Sequence, residues 1–207
     1  MALKSGELAK LKVDPRVYDG VRRWLDAAQV RDSSGRVDAA QYMYNPNALP
    51  AQRAIGRTPT VATSSMGMLM RMYMGMDRND PALIRGSEFL LEHPPELGTE
   101  ASPKRNTYYW YYASQVMFHM QGDAWKNWNE RLRPLLIDSQ TKTGPAAGSW
   151  DPNGRVADRW GEFGGRIYVT TLNLLSLEVC ASLFTDLRAN RRKITRNRPK
   201  TGADGVG

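Results

Sequence analysis

Between Ser64 and Met76 the chain reads SSMGMLMRMYMGM, with a methionine at every second position from Met66 to Met76. Strict alternation suggests a strand. The local chemistry points the other way. Methionine is a good helix former and lacks the β-branching that strands favour, and Thr58-Pro59 upstream offers a helix start. On a helix, Met66, Met70 and Met74 form one stripe. Met68, Met72 and Met76 form a second, about 200° round the axis. A helix apolar on opposite sides is buried on both, and so forms a wall between two layers. The same geometry parts the sulfurs, whereas a soft-metal site needs them to converge, so no metal is expected here.

Two further segments share this all-round apolar character: Asn106 to Gln121, NTYYWYYASQVMFHMQ, and Arg166 to Thr185, RIYVTTLNLLSLEVCASLFT. Amphipathic segments alternate with them. Asp14 to Gln29 carries Val17, Val21, Trp24, Leu25 and Ala28 at helical spacing, with Asp14-Pro15 as cap and first turn. Asp80-Pro81 opens the next in the same way, ending before Pro94-Pro95. Asp123 opens the third as its cap, and Pro134 is expected to kink or split that helix. The order amphipathic, buried, repeated three times, predicts an all-α fold of about three inner/outer helical hairpins with no sheet.

The 207 residues suffice for one sizeable core. The net charge of +8 is local: residues 187–207 hold seven Lys/Arg and one Asp. The expected organisation is a helical-repeat domain over 1–186 and a basic, disordered tail over 187–207. The tail suits non-specific polyanion contact, but no base-reading module accompanies it, so no specific nucleic-acid partner is expected. No apolar run approaches the roughly 18 residues of a membrane span. The start, MALKSGELAKLKV, lacks a signal-like apolar region, which favours a cytoplasmic setting. Cys180 stands alone in an apolar run, without a nearby histidine to activate it, and reads as a buried small hydrophobe.

Gln140 to Trp150, QTKTGPAAGSW, resembles the Q-x-x-x-G-x-W motif of squalene and oxidosqualene cyclases, with a longer loop before Gly148. Gly164-Gly165 followed by RIYVTT is similar to the turn and inner helix that come after it, and Tyr108 to Met120 to another inner helix. From about residue 12 to 180 the chain resembles the prenyltransferase and squalene-oxidase repeat proteins of bacteria. The resemblance implies an α/α toroid, a ring of inner helices within a ring of outer ones. It implies that Gln140 bonds at the next helix end, that Trp150 packs on the neighbouring repeat, and that Gly148, Gly164 and Gly165 shape the turns. Three hairpins make only part of such a ring, which implies missing N-terminal repeats, a second copy or another protein as partner. The acidic motifs of the cyclases, the zinc ligands of protein prenyltransferases and the C-x-E-Q thioester signature are all absent.

The aromatic run Tyr108, Tyr109, Trp110, Tyr111, Tyr112 is the strongest chemical feature. Together with Tyr168 it supplies candidate cavity-lining residues (Tyr108, Tyr109, Trp110, Tyr112, Tyr168) for an apolar small molecule, because aromatic faces bind apolar and cationic groups. Candidate acids or bases are Asp158, Glu162 and His119. Asp158 and Glu162 flank Trp160 before the glycine pair, while His119 on the aromatic helix reads as a hydrogen-bonded core residue. Asp123, Glu130 and the turn residue Asp151 are better explained by capping and solvation. Arg166 opens a buried helix and is expected to pair with an acid or a carbonyl. The expected function is a non-catalytic binding or interaction module without cofactor. The alternative is a terpenoid-cyclase-like enzyme whose acid motif is missing from this chain.

Overall fold

The computed structural model describes residues 1–31 and 33–196. Eight helices dominate it: α1 (Ala2–Leu8), α2 (Pro15–Ala28), α3 (Arg53–Gly56), α4 (Val61–Tyr73), α5 (Pro81–Leu91), α6 (Thr107–Met120), α7 (Gly122–Ser139) and α8 (Gly161–Arg196). A two-stranded antiparallel sheet, β1 (Gln29–Arg31) and β2 (Val37–Tyr42), joins α2 to α3. The expectation of no sheet is therefore corrected. The strands are short and separated by a Ser-Ser-Gly turn in which Gly35 takes φ +80°. They lack the β-branched runs that identify strands from sequence.

α4, α6 and α8 stand side by side in one row, with α6 in the middle. α5 and α7 form a second row, each packing on two helices of the first row and on the other, and β2 packs on α4 and α5. Two layers and a shared core follow directly from helices that are apolar on more than one side. Trp110, Trp128, Trp150, Met68, Met117, Leu132 and Leu136 are among its largest fully buried side chains.

The methionine stretch is helical. α4 begins at Val61 rather than at Thr58-Pro59, because Thr60 and Thr63 form a reciprocal capping box. No residue of α4 is exposed. Met68 is fully buried, and Met66, Met70, Met72, Met74 and Met76 are half-buried, so neither sulfur row faces open solvent. Gly67 sits between them for a steric reason: a Cβ there would lie 2.4 Å from the Tyr42 ring. The ring of Tyr42, at the end of β2, lies flat on α4, and its hydroxyl accepts from Arg71 Nε at 3.2 Å. Arg71 also bridges to Asp26 on α2 (2.6 Å) and to Gln29 (3.2 Å). One arginine thus ties α2, the hairpin and α4 together.

Asp14 and Asp80 cap α2 and α5 as expected, each accepting from the backbone N–H two residues on. Asp123 does not cap α7. It lies in the first turn, favourable to the helix dipole. Pro134 does not split α7, which is continuous through it. Leu132 and Leu136 are fully buried on either side, while Pro134 faces solvent, where water can satisfy the carbonyl it orphans. α8 continues to Arg196, ten residues into the stretch expected as a disordered tail. Residues 197–207 lie outside the described residues. None of the described helices is long and apolar enough to cross a membrane.

Candidate functional site

The N-terminal parts of α4, α6 and α8 open onto one cavity of about 570 Å³. α4 contributes Thr60 to Thr63 and Met66, α6 contributes Asn106 and Tyr108, and the start of α8 contributes Arg159, Trp160 and Tyr168. Tyr44 and Ile55, from the connection after β2, complete the rim. Both are largely exposed, as is Trp160 in part, so the cavity is open on that side.

Local sequence explains how these side chains are held. At the start of α8, Gly165 is non-helical (φ 66°, ψ −169°), which breaks one turn from the long helix. The bare Cα of Gly164 lies against the Tyr168 ring, where a Cβ would come within 2.4 Å. The glycine pair thereby sets the Tyr168 ring at the cavity wall. On α6, Tyr108 meets Tyr112 edge-on with ring centroids 5.0 Å apart, and Tyr112 meets Tyr111 at 5.1 Å. The Tyr108 hydroxyl donates weakly to Met66 Sδ at 3.5 Å. Burial pushes the Tyr168 phenol up to about 12 and raises that of Tyr112 further. Both remain neutral hydrogen-bonding groups at physiological pH.

Of the five aromatic candidates, Tyr108 and Tyr168 line the cavity and Tyr112 supports Tyr108 from behind. Tyr109 and Trp110 do not line it; both are buried between the layers. The Tyr109 hydroxyl donates to the His93 carbonyl at 2.8 Å, and its ring meets Trp128 edge-on. Successive residues on a helix point about 100° apart, so one run of aromatics cannot line one wall.

No carboxylate is among the cavity-lining residues. Asp158 is buried beside the cavity, but its oxygens accept from the backbone N–H groups of Thr107 (2.9 Å) and Trp160 (3.0 Å). It therefore caps α6 from a distant loop and fixes the turn into α8. Next to it Arg105 is buried, donating to the carbonyls of Asp151 and Val156, and burial lowers its pKa. Glu162 is exposed on the first turn of α8. His119, expected in the core, is exposed at the far end of α6, edge-on to Tyr73 and Phe118, and partial desolvation lowers its pKa. The three candidate acids and bases are thus not assembled. Cys180 is buried, and burial pushes its thiol up to about 11, which suppresses the nucleophilic thiolate.

The turn residues do act together. Gln140 Nε2 donates to the Gly148 carbonyl at 2.9 Å, closing its own loop rather than reaching the next helix. Trp150 is fully buried, donates from Nε1 to the Leu136 carbonyl at 2.9 Å, and donates its backbone N–H to the Thr170 hydroxyl oxygen at 3.2 Å. It links α7 to α8. Arg166 pairs with Asp151 at 3.1 Å and reaches the Ser149 hydroxyl. The residues that sequence reasoning missed are Tyr44, Ile55, Thr60, Thr63 and Arg159. Their only signal is position at helix starts or after the unforeseen hairpin.

Searched against protein-family models, curated proteins and solved structures, the chain gives no match.

Proposed function

We propose that the protein is a non-catalytic binding module, built as part of an α/α toroid, that takes an apolar ligand at the N-terminal ends of its inner helices. The observation that carries this reading is a 570 Å³ cavity walled by Tyr44, Tyr108, Trp160 and Tyr168 with no carboxylate in its lining. Volume and apolar, aromatic walls are those of a small-molecule site. The toroid assignment is supported by the row of α4, α6 and α8 backed by α5 and α7, and by the Trp150–Leu136 bond at the end of α7.

The competing reading, a terpenoid-cyclase-like enzyme, needs an acid that can protonate a bound polyene. Asp158 is the nearest buried candidate, and both of its oxygens are occupied by backbone N–H groups. The binding reading is therefore the better supported.

Titration of the full chain with dodecanol and with farnesol, followed by tryptophan fluorescence, tests the proposal. Saturable binding is expected, with the signal change lost in Trp160→Phe and no product formed from farnesol. Absence of saturation with both alcohols would overturn it, and turnover of farnesol abolished by Asp158→Asn would favour the enzyme.

A further inference from the structure

A second, smaller cavity of about 180 Å³ lies on the α2 side of α4, lined in part by Trp24, Leu25, Tyr42 and Met70. It shares three lining residues with the large cavity: Tyr44, Thr63 and Met66. Thr63 is held in the capping box and donates to the Tyr42 carbonyl at 2.7 Å. Met66 is the adaptable member of the shared wall. Its unbranched thioether has three rotatable bonds, and its contact with Tyr108 is a weak sulfur hydrogen bond. The opposite end of the large cavity differs in charge. Arg159 lines it on the α8 side, its guanidinium 5.7 Å from the centre of the Trp160 ring. No carboxylate among the described residues is bonded to that guanidinium, whereas neighbouring Arg105 and Arg166 are both engaged.

The path from Arg159 past Tyr108 to Met66 and on toward Trp24 thus begins with a cation and continues over apolar and aromatic surface. We infer that the two cavities form one channel for a long-chain fatty carboxylate, with the head group at Arg159 and Met66 as the movable partition that sets chain length. This rests on the binding function proposed above and names its ligand class. A short chain fits within the large cavity. A long one displaces the Met66 side chain and enters the smaller chamber against Trp24 and Met70. This also gives the methionine row a use beyond packing, since the Met66 and Met70 side chains line the channel.

The experiment is a calorimetric titration of the full chain with octanoate, laurate and palmitate, and with dodecanol as the uncharged counterpart of laurate. Affinity is expected to rise with chain length, by up to about fourfold per methylene buried. Met66→Ala removes the partition and is expected to favour palmitate over octanoate by a further tenfold or so, while Met66→Leu keeps the wild-type ratio. Arg159→Gln is expected to weaken laurate by about tenfold or more and leave dodecanol unchanged, because only the carboxylate loses a charged partner. Thermal melts of each variant establish that it is folded, and the ratios between ligands are independent of the fraction active. An unaltered palmitate-to-octanoate ratio in Met66→Ala, or equal weakening of laurate and dodecanol in Arg159→Gln, would overturn the inference while leaving the binding function standing. Failure of dodecanol and of every carboxylate to bind would overturn both.

Discussion

α6 and α8 have the same kind of sequence, apolar nearly all round, yet different surroundings. α6 is flanked by α4 and α8 and backed by α5 and α7, and apart from His119 no residue of it is exposed. α8 has α6 on one flank only. Phe163 and Ile167 on its outer side are 82% and 84% exposed, and Leu174 is 47% exposed. The expectation that all three inner helices are sandwiched holds for α4 and α6 and fails for this face of α8. An all-round apolar pattern reports what a helix can tolerate on every side. The number of neighbours it receives depends on where the row ends.

The sharpest way to break this comparison is truncation on each helix. Trp110→Ala on α6 removes a fully buried indole and is expected to cost about 3–5 kcal/mol in urea unfolding. Ile167→Ala on α8 should fall within about 0.5 kcal/mol of wild type, as exposed substitutions do. A large cost at Ile167 would mean that the outer face of α8 is covered in solution.

The helix starts give the next contrast. α6 is capped locally by Asn106, which accepts from the Tyr109 N–H, and across the fold by Asp158, and losing the Asp158 carboxylate leaves the Thr107 N–H buried without a partner. Asp158→Ala is expected to destabilise by about 2–3 kcal/mol, measured by the same unfolding curves. α4 has a cap of its own, the Thr60–Thr63 box, and is held further along by contact with the hairpin. Gly67→Ala drives a methyl into the Tyr42 ring and is expected to cost about 1–2 kcal/mol. Tyr42→Ala should reverse that preference, making alanine at 67 neutral or favourable on its background.

These residues also show what the sequence discloses and what it withholds. The caps at Asp14 and Asp80 and the helical course of the methionine stretch were legible, because they depend on neighbours within one or two turns. That Arg166 would pair with an acid or a carbonyl was legible from its place at the start of an apolar helix, but its partner Asp151, fifteen residues away, was not. The hairpin was not, since three- and six-residue strands carry little alternation and are stabilised by docking on α4 and α5. At the site, Tyr108 and Tyr168 were legible as aromatics at the starts of inner helices. Tyr109 and Trp110 have the same composition but point into the core, and only helical phase separates them from Tyr108. Tyr44 and Arg159 reach the cavity from loops, and Ile55 from the short helix α3, whose course no local pattern encodes.

The smallest expected effect concerns the start of α8, where an exposed ion pair stands in place of the buried cap of α6. The N–H of Asn153 first, and then the Arg166 guanidinium, hold the Asp151 carboxyl below its ordinary value, against an opposing effect of burial that ranks between the two. A carboxylate whose pKa is lower in the folded chain stabilises it fully above the unfolded value and loses that contribution as pH falls through the folded value. Stability should therefore fall slightly on acidification below the ordinary carboxylate range. The side chain is half exposed, so solvent limits the effect to less than about 1 kcal/mol. In Asp151→Asn the amide oxygen can still accept the Asn153 N–H, so the variant removes mainly the charge. Its unfolding free energy is expected to be a few tenths of a kcal/mol lower at neutral pH, on the order set for exposed pairs, and to converge with wild type in acid. A constant gap across the pH range would assign the stabilisation to turn geometry, and the start of α8 would then resemble that of α6 in depending on hydrogen bonds to backbone rather than on charge.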